Sequence, residues 1–200
     1  MVQSSYIGAK RPGSSNDPNP NFIGESGNPG VLAAIQSTPF ATGYVEGAWA
    51  KSANPKVGQM LMQAGAKKNG KAIFADPTNK KAVAAALGNL NAGSITYGEG
   101  SDGQPLGSSA PWCILYIDPS NFVHAPKKAY PIVGVSYMLF YGLNNGQHLS
   151  DKQTLIKFME SSQADQIVKK LEYVPLPNSI HNAILNALNG QGSSQPACVQ

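Results

Sequence analysis

Between Phe22 and Ala50 the chain reads FIGESGNPGVLAAIQSTPFATGYVEGAWA, and the breakers inside this stretch leave it few folding choices. Gly24 to Gly27 predict a tight loop. Asn28 is placed to cap a helix and Pro29 to occupy its first turn, because proline has no donor to lose there and its φ is already helical. Val31, Leu32 and Ile35 recur at helical spacing and give one short apolar face. Ser37-Thr38-Pro39 then stops the helix, since the residue before a proline is pushed out of the helical region. Ala41 to Val45 reads as a short strand, and Gly47-Ala48-Trp49-Ala50 opens a small-residue segment. The stretch predicts loop, helix, turn and strand, which is one α/β unit.

Further along, Val57 to Ala66 predicts a short helix with Met60 and Leu61 facing inward, and Lys71 to Phe74 a strand. Asp76-Pro77 opens a helix running to Leu87, with Asp76 as its cap. Ser94 to Tyr97 is a strand candidate, Gly98 to Ala110 a glycine-rich loop, and Trp112 to Ile117 an apolar run of buried-strand length. Pro131 to Tyr141 is the longest strand candidate, rich in β-branched and aromatic residues. After the turn Asn144-Asn145-Gly146, Ser150 caps a helix with Leu155, Ile156, Phe158 and Met159 on its core face. A second helix carries Ile167, Val168 and Leu171, and a last one runs from Ser179 to Leu188. Residues Met1 to Asn21 are polar and aperiodic, and Asn189 to Gln200 is a turn-rich tail. Strands alternating with helices point to the α/β class.

Two hundred residues suffice for one good-sized core or two small lobes, burying about 70% of the unfolded surface. The net charge of +4 comes from fourteen lysines and the single Arg11. That excess can steer anions at long range, although a solvated lysine surface is the plainer account. Without an arginine cluster or a long basic run, nothing points to nucleic acid. Cys113 and Cys198 are the two cysteines; they either bridge in an oxidising compartment or remain one buried and one exposed thiol.

Three sets of residues, in order, resemble the periplasmic phosphate-binding proteins of ABC importers, the PstS-like family with its DING relatives. The first is Gly27-Asn28-Pro29-Gly30-Val31, Thr38-Pro39, Gly43-Tyr44-Val45-Glu46 and Ala48-Trp49-Ala50. The second is Tyr130-Pro131-Ile132-Val133-Gly134 with Tyr137-Met138-Leu139-Phe140, and the third Tyr173-Val174-Pro175-Leu176-Pro177 with Ile180 and Ile184. The resemblance covers the C-terminal part of such a protein and implies a type II periplasmic-binding-protein fold. Residues 22–126 would then be most of the second lobe, and residues 127–200 the return strand, C-terminal helices and tail of the first, after an irregular segment 1–21. It also implies a periplasmic or secreted protein, inorganic phosphate or a similar oxyanion as ligand of the full-length parent, and ABC importer membrane subunits as partners.

The family grips phosphate with an Arg, an Asp and a Ser-Gly-Thr at a helix start. This sequence has no Ser-Gly-Thr, and Arg11-Pro12-Gly13-Ser14-Ser15 only faintly echoes the pattern. The expectation is a truncated form carrying the scaffold without the clamp. The alternative is a secreted binding or adhesion module on the same scaffold, which exposed sheet edge would drive toward a homo-oligomer. The ligand feature on the chain itself is Ser26, Gly27 and Asn28, where free N–H groups and the positive helix end favour an anion and Gly27 lets backbone approach closely. A capped helix with no ligand is the competing reading. His124, His148 and His181 adjoin no nucleophile and make no metal spacing, so neither catalysis, metal nor cofactor is expected; His148 and Asp151 could meet locally at a solvated helix start.

Overall fold

The computed structural model describes residues 24–99, 104–105, 110–122, 128–140 and 145–200. The irregular segment 1–21, Arg11, Phe22, His124 and most of the loop after Gly98 lie outside them. The chain divides into two compact units, Met1–Gln59 and Met60–Gln200.

In the first unit, helix α1 spans Gly27–Ser37 and stops where expected, with Thr38 extended before Pro39. Asn28 is not its cap. Ser26 holds the cap position without a side-chain bond, and Asn28 Oδ1 accepts from the Glu46 amide at 2.9 Å. That bond ties the returning chain to the first turn of α1. Gly43 lies on the return path because a Cβ there would meet Ile35 Cδ1 at 3.0 Å and Val31 Cγ1 at 3.1 Å. The expected strand Ala41–Val45 does not form. These residues join no ladder, and the chain passes straight into helix α2, Gly47–Ser52. A strand needs a neighbour to take its N–H and C=O groups, and here a side-chain amide and apolar contacts with α1 hold the segment instead.

The second unit mixes helix and strand in a way compatible with the α/β class, with two separate antiparallel pairs among the described residues. The helix expected at Val57–Ala66 is a strand, β1, Met62–Ala66, paired with β2, Ala72–Ala75. Its residues are adequate helix formers, but a hairpin closed by Lys67 N to Lys71 O at 2.8 Å, with Gly70 at φ 80°, overrides a weak local preference. Met60 and Leu61 accordingly stay exposed, at 62% and 52%. Helix α3 covers Lys80–Leu87 and starts later than the Asp76 cap implies. Asp76 Oδ1 accepts from Thr78 N and Oγ1 at 2.8 and 2.7 Å, closing a turn on itself, and Asn79 caps α3 by accepting from Lys81 N at 3.0 Å.

Strand β3, Ile95–Tyr97, pairs with β4, Leu115–Ile117, and a short 3-10 turn at Pro111–Cys113 takes the start of the run expected to be strand. The long strand expected at Pro131–Tyr141 is absent through Phe140; this segment enters no ladder. Tyr137 explains why it nevertheless lies beside β4. Its hydroxyl accepts from Ile117 N at 3.0 Å and donates to Ile117 O at 3.2 Å, taking the groups a neighbouring strand would use. Its ring stacks on Tyr116 at 5.8 Å.

Helices α4, Leu149–Met159, and α5, Ser162–Lys170, follow, with Ser161 capping α5. Helix α6, Asn178–Asn189, is the centre of the unit. Its Ile180, Ala183, Ile184, Ala187 and Leu188 recur at helical spacing and feed two clusters. One joins Leu87, Leu90, Ile95 and Ile117; the other joins Ile156, Cys198 and Val199. Ile180, 2% exposed, is the most completely buried large side chain among the described residues.

The tail is structural. Gly190 ends α6 at φ 79° and ψ 158°, where a Cβ would lie 2.7 Å from Ala197 N and 3.1 Å from Gln195 O. The turn it makes lets Cys198 N donate back to Ala187 O at 2.9 Å and Trp112 Nε1 reach Pro196 O at 2.9 Å. Replacing Gly190 by Ala is expected to lower stability by about 2 to 3 kcal/mol, from a backbone region open essentially to glycine plus a backbone clash. A shift of the urea midpoint checks this; an unchanged midpoint would mean that the tail does not hold this turn.

Candidate functional site

The α1 N-terminus presents the anion-site geometry in outline, with the Asn28 side chain already engaged. Gly27 sits at φ 62°, which turns the chain from the loop into the helix. Asn28, read as a ligand, spends its side-chain oxygen on Glu46 N. Glu25 turns its side chain over the first turn, so that a Cβ on Gly30 would meet Glu25 Cβ at 3.3 Å and Oε2 at 3.4 Å. A carboxylate beside a helix N-terminus stabilises it through the same partial positive charge that would attract phosphate. An incoming dianion would meet that negative charge with no arginine among the described residues to offset it.

Cys113 and Cys198, whose pairing the sequence left open, are bonded at an S–S distance of 2.01 Å with Cα atoms 5.5 Å apart. The bridge fastens the tail to the 3-10 turn before β4. Gln153 Nε2 donates to Val199 O at 3.1 Å and Asn145 N to Gln200 O at 2.6 Å, so α4 and its approach hold the last residues too.

A largely buried titratable cluster escaped the sequence reading, which finds no nucleophile beside His181 and no metal spacing. From α6, His181 places Nδ1 2.5 Å from Glu160 Oε2 and Nε2 3.6 Å from Asp165 Oδ1, and its Nε2 has no hydrogen-bond partner among the described residues. Glu160 ends α4, and Asp165 lies in the first turn of α5. Burial pushes the Glu160 carboxyl above the usual carboxylate range, and Asp165 adds to that while the His181 hydrogen bond and charge pull it down. With Glu160 ionised, His181 Nδ1 carries the shared proton, since a carboxylate only accepts. The spacing of 21 residues between His181 and Glu160 has no local signature, which is why sequence could not pair them. His148 and Asp151 do meet, at 3.4 Å, but both are largely exposed and such a pair is worth well under about 1 kcal/mol.

Clefts of about 500 and 450 Å³ open among the described residues of the second unit. The first lies between Trp112, Tyr97 and the Ala183–Ala187 side of α6; the second is ringed by Asn89, Asn91, Ser94 and Asn121. Neither has a charged side chain among its described lining residues, so neither is equipped to clamp an oxyanion. Among the described residues no three His, Cys, Asp or Glu side chains converge in a way that could hold a metal ion, and no helix is long and apolar enough to cross a membrane.

These features define the chain coarsely, as a mixed helix-and-strand protein, and its sequence is distantly similar to a phosphate-binding protein. The curated relative behind that statement is the phosphate-binding protein PstS of Methanocaldococcus jannaschii, 29% identical over 177 residues, which are 84% of this chain and 39% of that protein. The chain thus spans well under half the length of the relative. No family profile and no solved structure matches it.

Proposed function

We propose that the chain carries the framework of a phosphate-type oxyanion carrier, serving an ABC importer at the periplasmic or secreted side, but not the groups that grip the anion. The single observation that carries this is the pairing of a phosphate-binding relative with an α1 N-terminus occupied by Glu25 and Asn28. The absence of Ser-Gly-Thr from the sequence agrees with it. On this reading Ser26, Gly27 and Asn28 are at most a weak anion contact. Titration calorimetry of the 200-residue chain with inorganic phosphate is expected to show no saturable binding in the micromolar range. One-site binding tighter than millimolar would overturn the claim that the grip is missing.

A second reading, a secreted binding module that uses the same scaffold without transport, is favoured by the segment Pro131–Phe140. Its backbone makes no hydrogen bond to another described residue, and Ile132, Met138 and Leu139 are exposed, Leu139 at 92%. An unpaired apolar run of β-forming residues invites a strand from a second copy. Light scattering is then expected to give a mass near twice 21.0 kDa, falling to the monomer when Leu139 is replaced by Lys. A monomer at all concentrations removes this reading.

A further inference from the structure

The tertiary structure gathers lysines that lie far apart in sequence. Lys80 and Lys81 form the first turn of α3, where there is no acidic residue to complement the helix dipole. Lys80 Nζ crosses to the end of α5, donating to Lys169 O at 2.8 Å and pairing with Glu172 at 3.2 Å. Lys169 and Lys170 occupy the last turn of α5. Tyr130 N donates to Ala82 O at 2.9 Å, so exposed Lys128 stands two residues from a tie to the first turn of α3. Carboxylates near these lysines are Glu172, bound to Lys80, Asp76, turned back on Thr78, and Asp165, one turn before Lys169 on α5 and directed at His181.

Lys81, Lys128, Lys169 and Lys170 are exposed and have no ion-pair partner among the described residues. The cost of this arrangement is visible at α3, whose N-terminus is already positive and carries two cations where anions would stabilise it. Beside the lysines the surface is apolar. Ile167 lies three residues before Lys170 and four before Leu171, so the three share one side of α5, and Ile167, Leu171 and Tyr173 are 46%, 56% and 41% exposed. A solvated lysine face has no need of isoleucine and leucine at its rim. A lipid surface does, because lysines meet its anionic headgroups while apolar side chains enter the headgroup boundary.

We propose that the lysines at the start of α3 and the end of α5, with Lys128 and the adjoining Ile167 and Leu171, form a docking surface for anionic lipid bilayer. The charge is lysine throughout, which suits headgroups met as a diffuse field rather than the bidentate recognition that arginine serves. The contact is peripheral and reversible.

Co-sedimentation tests it with two kinds of vesicle, phosphatidylcholine alone and phosphatidylcholine mixed with phosphatidylglycerol. The intact chain is expected to pellet with the mixed vesicles, to stay in solution with the neutral ones, and to be released by raised salt. Replacing Lys169 and Lys170 by Gln is expected to weaken partitioning roughly 25-fold, at about fivefold per lysine. Replacing Ile167 and Leu171 by Ser should also lower vesicle binding while leaving elution from a heparin column unchanged. Equal binding to both vesicles, no binding to either, or retention by heparin and nucleic acid without vesicle binding would each overturn the proposal, the last in favour of a soluble polyanion. Unchanged partitioning of the Lys169 and Lys170 variant would do so as well.

Discussion

Replacing Cys113 and Cys198 by Ser is expected to lower the unfolding free energy by about 4 to 5 kcal/mol, by the loop-closure entropy of a bridge spanning 85 residues. That is a large part of the 5 to 15 kcal/mol typical of a small domain. The bond does more than shorten the unfolded chain. Cys198 and Val199 belong to a core cluster with Ile156, Ala187 and Leu188, and the last residues satisfy polar groups of Asn145, Gln153 and Trp112. Loss of the bridge frees the tail and exposes Trp112, so its fluorescence should shift along with the urea midpoint when the intact protein is treated with reductant. Equal midpoints with and without reductant would show that the bridge adds nothing to the native balance.

His181→Ala is the second large effect, expected to cost about 2 kcal/mol near pH 7, because it leaves a largely buried carboxylate without its partner. The sign of its pH dependence follows from Glu160, whose folded carboxyl lies above its ordinary value through burial. A group raised in the folded state contributes its stability fully below the unfolded value and loses it as pH rises through the folded one. Removing His181 takes away the hydrogen bond and charge that hold Glu160 down, so the penalty grows as pH rises from about 4 toward neutrality. The variant should therefore sit close to the parent in acid and fall away from it at pH 7. Glu160→Gln in the same background removes the titrating group and should flatten the difference. Urea midpoints across that range measure both; a deficit independent of pH would assign His181 a packing role alone.

The two effects mark where sequence reading stopped. Helix boundaries set by local chemistry were legible: α1 ends before Pro39, and the helices begun near Ser150 and Ser179 appear as α4 and α6 with ends moved by a residue or so. The strand expected at Lys71–Phe74 is β2, displaced by one residue. The misplacements share a cause. Val57–Ala66, Ala41–Val45 and Pro131–Phe140 are segments whose state depends on whether a partner strand lies alongside, and that partner is not encoded within the window being read. Asp76 failed as a cap for a local reason instead: its oxygen reached the Thr78 amide first.

By itself the sequence determined the period and the breakers, hence which stretches could be helical and where they must stop, because proline geometry and 3.6-residue spacing act over a few residues. It also carried the likeness to phosphate-binding proteins and the lack of their Ser-Gly-Thr. Only the tertiary structure decided which of the remaining groups meet: Cys113 with Cys198, His181 with Glu160 and Asp165, Lys80 with Glu172, and Glu25 with the first turn of α1. Those pairings join distant or competing partners. Their free energy comes from burial and from electrostatics in a partly dry setting, which exists only once the chain has closed around them.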